Sequence, residues 1–315
     1  MPKGKAWEVA LKVLLTLGLF GWLINYANVK FVELFANITL ASPILLLLAM
    51  LLFLLHTVVI YIAWHKSLAI FEIHSPVGIT APLFAFSTLT KYVPGGVWHA
   101  GSRVFVLGNH GYSKAAALFS VIMESIISIF LSATLLCFLF SIISVDFLPG
   151  WIARIPGMLT TFGGVVLLAC ILSSKFYRLV FDWYYARKLG TGKMLAYNSL
   201  RIGELVLLHL LALCLFVIAY YLCFIAYLPE LNVNYLQFAF IIMLATFSGF
   251  IAIFSPAGLG VRESILYVLF ALLIDSPLLV TVCLAPRLVL LLSEVLFFLG
   301  TRIFHKSLSQ LKLVS

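Results

Sequence analysis

The chain has 315 residues, 64% hydrophobic and only 10% charged, with a mean hydropathy of +1.17. Polar side chains are too few to cover a water-soluble globule of this size, which excludes a soluble enzyme, a nucleic-acid-binding module and a secreted disulfide scaffold, and leaves an integral membrane protein. Twenty Lys and Arg against 11 Asp and Glu give a net charge of +9, and in a membrane protein the placement of that charge sets orientation.

Apolar segments run almost from end to end, so residues 1–315 read as one integral membrane domain with no separate soluble part. The N-terminus has a basic start, Lys3 and Lys5, before an apolar run. No small-residue cleavage site follows, so this run reads as a first, retained span. A spanning helix needs roughly 20 mostly apolar residues, and seven stretches approach or exceed that: 10–27, 43–64, 116–143, 157–173, 203–228, 235–254 and 278–299. A short eighth, 259–274, opens from the glycine-rich turn around Gly258 and Gly260 and ends before Asp275-Ser276-Pro277. The region 79–100 is apolar but interrupted by Pro82 and Lys91, and reads as a re-entrant segment. The expected fold is therefore an all-α polytopic membrane protein of about eight transmembrane helices plus one re-entrant segment.

With those eight crossings the basic loops fall on one side, from Lys3 and Lys66 through Lys114 and the run Lys175 to Arg201 to Arg302 and Lys306. The positive-inside rule makes that side cytoplasmic and puts both termini there. The basic loop 174–201 reads as a topology determinant near anionic headgroups. Cys137, Cys170, Cys214, Cys223 and Cys283 all lie in apolar runs without a CxxC pair and read as small buried hydrophobes.

Two segments interrupt this pattern. Lys91-Tyr92-Val93-Pro94-Gly95-Gly96-Val97-Trp98 continues through His99 to Arg103, and Ser255-Pro256-Ala257-Gly258-Leu259-Gly260-Val261 continues into Arg262-Glu263. Proline removes a backbone donor and glycine permits positive φ, so helices break at Pro94, Gly95 and Gly96 and again at Pro256, Gly258 and Gly260. Irregular backbone at membrane depth survives only when it is buried in protein or lines a wet cavity. Paired breaks in different halves of a chain point to a transporter site; the expected topology puts both at the cytoplasmic side, packed together.

The KYVPGGVW segment with its following Arg103, together with Pro256-x-Gly258-x-Gly260-x-x-Glu263 opening a late helix, resembles the lysylphosphatidylglycerol synthase transmembrane region, or flippase-like domain family. The resemblance covers nearly the whole chain and departs from the more glycine-rich family form at Ala257. It implies lipid or lipid-linked sugar handling. Complete synthases add a soluble aminoacyl transferase, which these 315 residues lack, so aminoacyl transfer is not expected.

Ionisable groups inside spans are costly and are functional candidates by default. Glu124 lies within 116–143 on a face with Ser120, Ile127 and Ser128, and Arg262, Arg103 and Arg287 are its possible partners. Arg287 and Glu294 share one face of the last helix. Glu204 and Arg201 lie where snorkelling is cheap, and His56 and His209 read as hydrogen-bonded interior histidines. No motif offers metal spacing, and no cofactor is expected.

Lipid handling requires a wet electropositive groove for a phosphate headgroup. Lys91, Arg103, Arg262 and Arg287 can supply the charge, with Glu124, Glu263 and Glu294 holding the cations in place. The expected activity is flipping of an anionic phospholipid or polyprenyl-phosphate-linked sugar across the cytoplasmic membrane, without nucleic acid. The alternatives are a membrane transferase using Glu124 or His99 as base, and an accessory protein that recruits a glycosyltransferase through the basic loop.

Overall fold

The computed structural model describes residues 41–93, 98–143, 148, 157–189, 198–252 and 255–311. The expected first span, 10–27, and the break residues Pro94, Gly95 and Gly96 lie outside them.

Ten α-helices make up the described chain: α1 (Pro43–Leu68), α2 (Val77–Thr90), α3 (Trp98–Asn109), α4 (Lys114–Ile142), α5 (Gly157–Leu172), α6 (Ser174–Leu189), α7 (Ser199–Tyr227), α8 (Tyr235–Ile251), α9 (Val261–Phe270) and α10 (Leu279–Leu311). Their starts follow local chemistry. Pro43 opens α1 at a position where its missing donor costs nothing. Ser113, Asn198 and Asn234 cap α4, α7 and α8 by accepting backbone N–H bonds from Ala116, Leu200 and Leu236.

The helices are apolar on more than one face. On α1, Ile44, Leu47, Leu48, Leu51 and Leu55 are exposed at helical spacing, while Ala49, Phe53 and Thr57 are buried. An outward apolar stripe on an apolar helix suits lipid rather than water. Helices α1 and α7 pack along each other, α5 lies on α4, and α10 packs on both α1 and α2. Two aromatic cores result. Phe53, Phe216, Tyr220, Phe224, Phe238 and Phe270 fill one, and Trp64, Phe71, Phe84, Phe119, Tyr177 and Phe181 fill the other.

Among the described residues, α4, α7, the stretch Pro43–Phe71 and the stretch Leu279–Ile303 are long and apolar enough to cross a membrane. Helix α5 bends by 68° into Ser174–Phe181, a fifth crossing if that pair is one broken span. The expected spans 235–254 and 259–274 are the shorter helices α8 and α9, separated by the break and packed on each other. The expected basic loop 174–201 begins as the helix α6, with Lys175 and Arg178 exposed. The region 79–100 includes two helices, α2 and the start of α3, which pack together. Pro82 sits early in α2, where it removes a single backbone bond. Of the cysteines, Cys223 and Cys283 are buried, whereas Cys214 is exposed, contrary to the expectation that all are buried, because α7 turns that position outward.

The break between α8 and α9 is a left-handed turn. Ala257, Gly258 and Gly260 have φ of 52°, 69° and 84°. Ser255 Oγ donates to the Leu259 carbonyl at 2.5 Å across it. A Cβ on Gly258 would stand 2.9 Å from Gly249 Cα, so glycine is needed here for close backbone approach as well as for φ. Ala257 is strained by the same rule. Gly258→Ala is expected to destabilise by about 2 kcal/mol or more, and Ala257→Gly to stabilise by about 1 kcal/mol. Thermal unfolding in detergent, followed by dye labelling of buried Cys223 and Cys283, checks the two opposite shifts.

Candidate functional site

Among the described residues, three buried or partly buried ion pairs organise the polar interior. The first encloses Arg103 of α3, which is 0% exposed. Its guanidinium lies 4.4 Å from the Trp64 ring and 4.5 Å from the Phe84 ring. Nε donates to Ser87 Oγ at 2.8 Å, Nη1 to Glu124 Oε2 at 2.5 Å, and Nη2 to His99 Nε2 at 2.9 Å. Because arginine only donates, His99 accepts at Nε2 and carries its proton on Nδ1. Trp64 in turn donates to Ser120 Oγ at 3.2 Å. Of the three arginines open to Glu124 in the sequence, Arg103 is the one it meets, and the pair ties α1, α2, α3 and α4 together.

The second pair holds the α8–α9 break. Glu263, at the third position of α9, accepts the Gly260 backbone N–H at 2.7 Å through Oε2 and Arg287 Nε at 2.6 Å through Oε1. Arg287 Nη2 donates to the Ala257 carbonyl at 2.6 Å. A carboxylate at a helix N-terminus also complements its dipole. The third pair joins Lys91, just after α2, to Glu294 of α10 through Nζ and Oε1 at 2.5 Å. Helix α10 therefore reaches both interrupted segments, one with each of the two charges that share its face.

Arg262 differs. Among the described residues it joins no ion pair, and its Nε is buried without a hydrogen-bond partner. The guanidinium lies 5.2 Å from the Phe250 ring, and its stem fills the space that glycine leaves on α8: a Cβ on Gly249 would stand 2.6 Å from Arg262 Cγ. Lys91 and Tyr92 are each in electrostatic reach of Glu294, Arg287 and Arg262, and His56, within α1, is in reach of Lys91 and Arg262. The cluster thus lies between α10 and the start of α9, with Lys91 reaching it from the end of α2. Arg103 and Glu124 form a separate unit with its own partners.

His56 Nδ1 and His209 Nδ1 each lie 2.8 Å from a backbone carbonyl, those of Ala212 and Leu205, as interior histidines do. Lys66 and Glu204 pair at 2.6 Å, both side chains about half exposed, beside a cavity of about 290 Å³ that Arg201 and His65 also line. No grouping of His, Cys, Asp or Glu among the described residues suits a metal ion. Sequence reasoning missed Ser87 and Gly249. A lone glycine inside the apolar run of α8 was the signal for the latter, since it marks close approach of another group.

Stacked apolar helices around a polar, ion-paired interior with an interrupted helix define a multi-pass membrane protein. The family model described as the lysylphosphatidylglycerol synthase TM region matches residues 9–297, and the chain belongs to that family, which places it in lipid or cell-envelope biology. No curated protein matches the chain.

The Arg103 unit is expected to act in stability. Removing one member of a buried pair leaves the other uncompensated, at about 3–5 kcal/mol, whereas apolar replacement of both is far milder. Arg103→Ala should therefore unfold at a much lower temperature in detergent, and Arg103→Met combined with Glu124→Leu should recover most of the loss. A double-mutant cycle on unfolding midpoints reads this coupling.

Proposed function

We propose that this chain translocates lipids with an anionic phosphate headgroup, either an anionic phospholipid or a polyprenyl-phosphate-linked sugar, across the cytoplasmic membrane. It acts as one integral membrane domain with both termini inside. The observation that carries this reading is the charge balance of the cluster on α10. Lys91, Arg262 and Arg287 face Glu263 and Glu294, so two pairs are neutral and one positive charge, on Arg262, has no carboxylate among the described residues.

An uncompensated cation inside an apolar bundle is costly. A bound phosphate offsets that cost, and arginine is suited to phosphate through its fork of donors. Irregular backbone next to the cation supports the same reading, because interrupted helices near the middle of a bundle are where transporters hold charged substrates. Glu263 and Glu294 keep Arg287 and Lys91 partly neutralised. The local field then attracts one anionic group without holding it so strongly that release fails. Of the four cations expected to meet the headgroup, Arg262 is assigned the direct contact. Lys91 and Arg287 shape the field around it, and Arg103 acts through the position of α3.

The test is dithionite quenching of an acyl-chain-labelled anionic phospholipid in proteoliposomes, at matched folded incorporation. The native chain should speed loss of the inner-leaflet signal. Arg262→Ala should slow it about ten- to a hundredfold, the loss of one charge-assisted contact. Arg262→Lys should retain part of the rate, and Lys66→Ala, at the separate exposed pair, should leave it unchanged. Failure to move any of several lipid classes, polyprenyl phosphates included, overturns the reading.

A further inference from the structure

His209, inside α7, is 2% exposed, and its Nε2 is buried without a hydrogen-bond partner. Its other nitrogen, Nδ1, faces the Leu205 carbonyl at 2.8 Å. A carbonyl only accepts, so Nδ1 carries the ring proton and Nε2 keeps a bare lone pair. A buried acceptor with nothing to accept from is rare in a folded interior, because it retains its desolvation cost. His56 of α1 is built the same way: its Nδ1 donates at 2.8 Å to the carbonyl of Ala212, about one turn along α7 from His209. In each ring the atom left open is Nε2, and its open chemistry is the gain of a proton.

The charges around the pair are unequal. His209 is in electrostatic reach of Glu124 of α4, which holds Arg103 of α3. His56 is in reach of His209, of Lys91 at the end of α2 and of Arg262 of α9. Helices α5 and α8, which also pack on α7, carry no charged side chain, and on α10 Arg287 and Glu294 are engaged with Glu263 and Lys91. A proton on the pair is therefore favoured by Glu124 and opposed by Lys91 and Arg262. Lys91 meets a carboxylate and Arg262 meets none among the described residues, so the opposing field comes chiefly from Arg262. An anion on Arg262 cancels that field. Proton and anion then favour each other, and the linkage is reciprocal.

We infer that His56 and His209 together bind one proton when Arg262 holds its anion, so that an anionic headgroup crosses with a proton. This rests on the lipid-translocation reading and names what drives it. On loading, a proton from water adds to an Nε2 lone pair, which forms one N–H bond and one positive charge. That charge matches the single negative charge of a phosphodiester, and both leave on release. Two protons on the pair would repel, which limits uptake to one. Loading adds no net charge, and the transport cycle is electroneutral.

Proteoliposomes with a trace of acyl-labelled phosphatidylglycerol test the coupling. The outer buffer is held constant, the inner buffer is varied, and dithionite reads the label in the outer leaflet at steady state. At one proton per lipid, a proton gradient of about tenfold should draw the label towards the alkaline side by up to about tenfold. A proton–potassium exchanger should abolish this asymmetry, and a potassium diffusion potential alone should not create it. His56→Asn and His209→Asn keep a donor for the backbone carbonyl but take up no proton, and each should lose the asymmetry. A direct measurement covers variants that stop moving lipid: in weakly buffered detergent, short-chain phosphatidylglycerol should draw up to about one proton per native chain, read by a pH indicator, and none in either variant. Label that equilibrates without regard to the gradient, or native protein that takes up no proton, overturns the coupling while translocation stands. An asymmetry driven by the potential overturns the electroneutral pairing of proton and anion. Coupling that persists in both variants places the proton elsewhere and overturns the assignment. No movement of label by the native chain under any gradient overturns translocation itself.

Discussion

A charge inside an apolar bundle must find a partner, and in this protein one helix supplies the partner twice. Helix α10 carries Arg287, which satisfies Glu263 and the Ala257 carbonyl, and Glu294, which takes Lys91. Each contact reaches a different interrupted segment, so the two halves of the chain are registered against a single rod. Glu263, Glu294 and Arg287 are buried, so separating either segment from α10 strands a charge in low dielectric. Rearrangement of this cluster is therefore coupled to whatever replaces those contacts.

The three ion pairs divide by the freedom they leave. Arg103 is the most fully engaged: it lies against two aromatic faces and donates to a hydroxyl, a carboxylate and an imidazole. Its work is to hold α3 against α1, α2 and α4. Glu263 is also fully used, with one oxygen on Arg287 and the other on the Gly260 N–H. Among the described residues Arg262 Nε has no hydrogen-bond partner, and Glu294 meets Lys91 through one oxygen with the Tyr92 hydroxyl beside it. Function in a polar interior resides with the groups whose bonding is incomplete, because satisfied groups gain nothing from a ligand.

The backbone serves the same end. Gly249 and Gly258 bring α8 and the break close enough for the Arg262 stem to lie between them. The left-handed turn through Ala257, Gly258 and Gly260 then aims the start of α9, and with it Arg262 and Glu263, inward. A side chain at either glycine pushes on the arginine or on the opposing backbone. The site thus depends on two missing Cβ atoms as much as on the charges.

Membrane class, helical content and the break before α9 were legible in the chain itself, because hydropathy and the conformational limits of proline and glycine act locally. So were the charged residues, since an ionisable side chain in an apolar run stands out wherever it folds. Helix ends were less legible: 235–254 and 259–274 stand as α8 (Tyr235–Ile251) and α9 (Val261–Phe270), a few residues shorter on either side of the turn at Ser255 to Gly260. Pairing was not legible at all. Glu124 had three possible arginines, and packing selected Arg103 because α3 and α4 meet where Trp64 and Phe84 can sandwich the cation. By itself the sequence determined which groups must be satisfied inside the membrane. Only the tertiary structure decided which were satisfied and which were left open, because hydrogen bonds are directional and depend on the packing of helices distant in the chain.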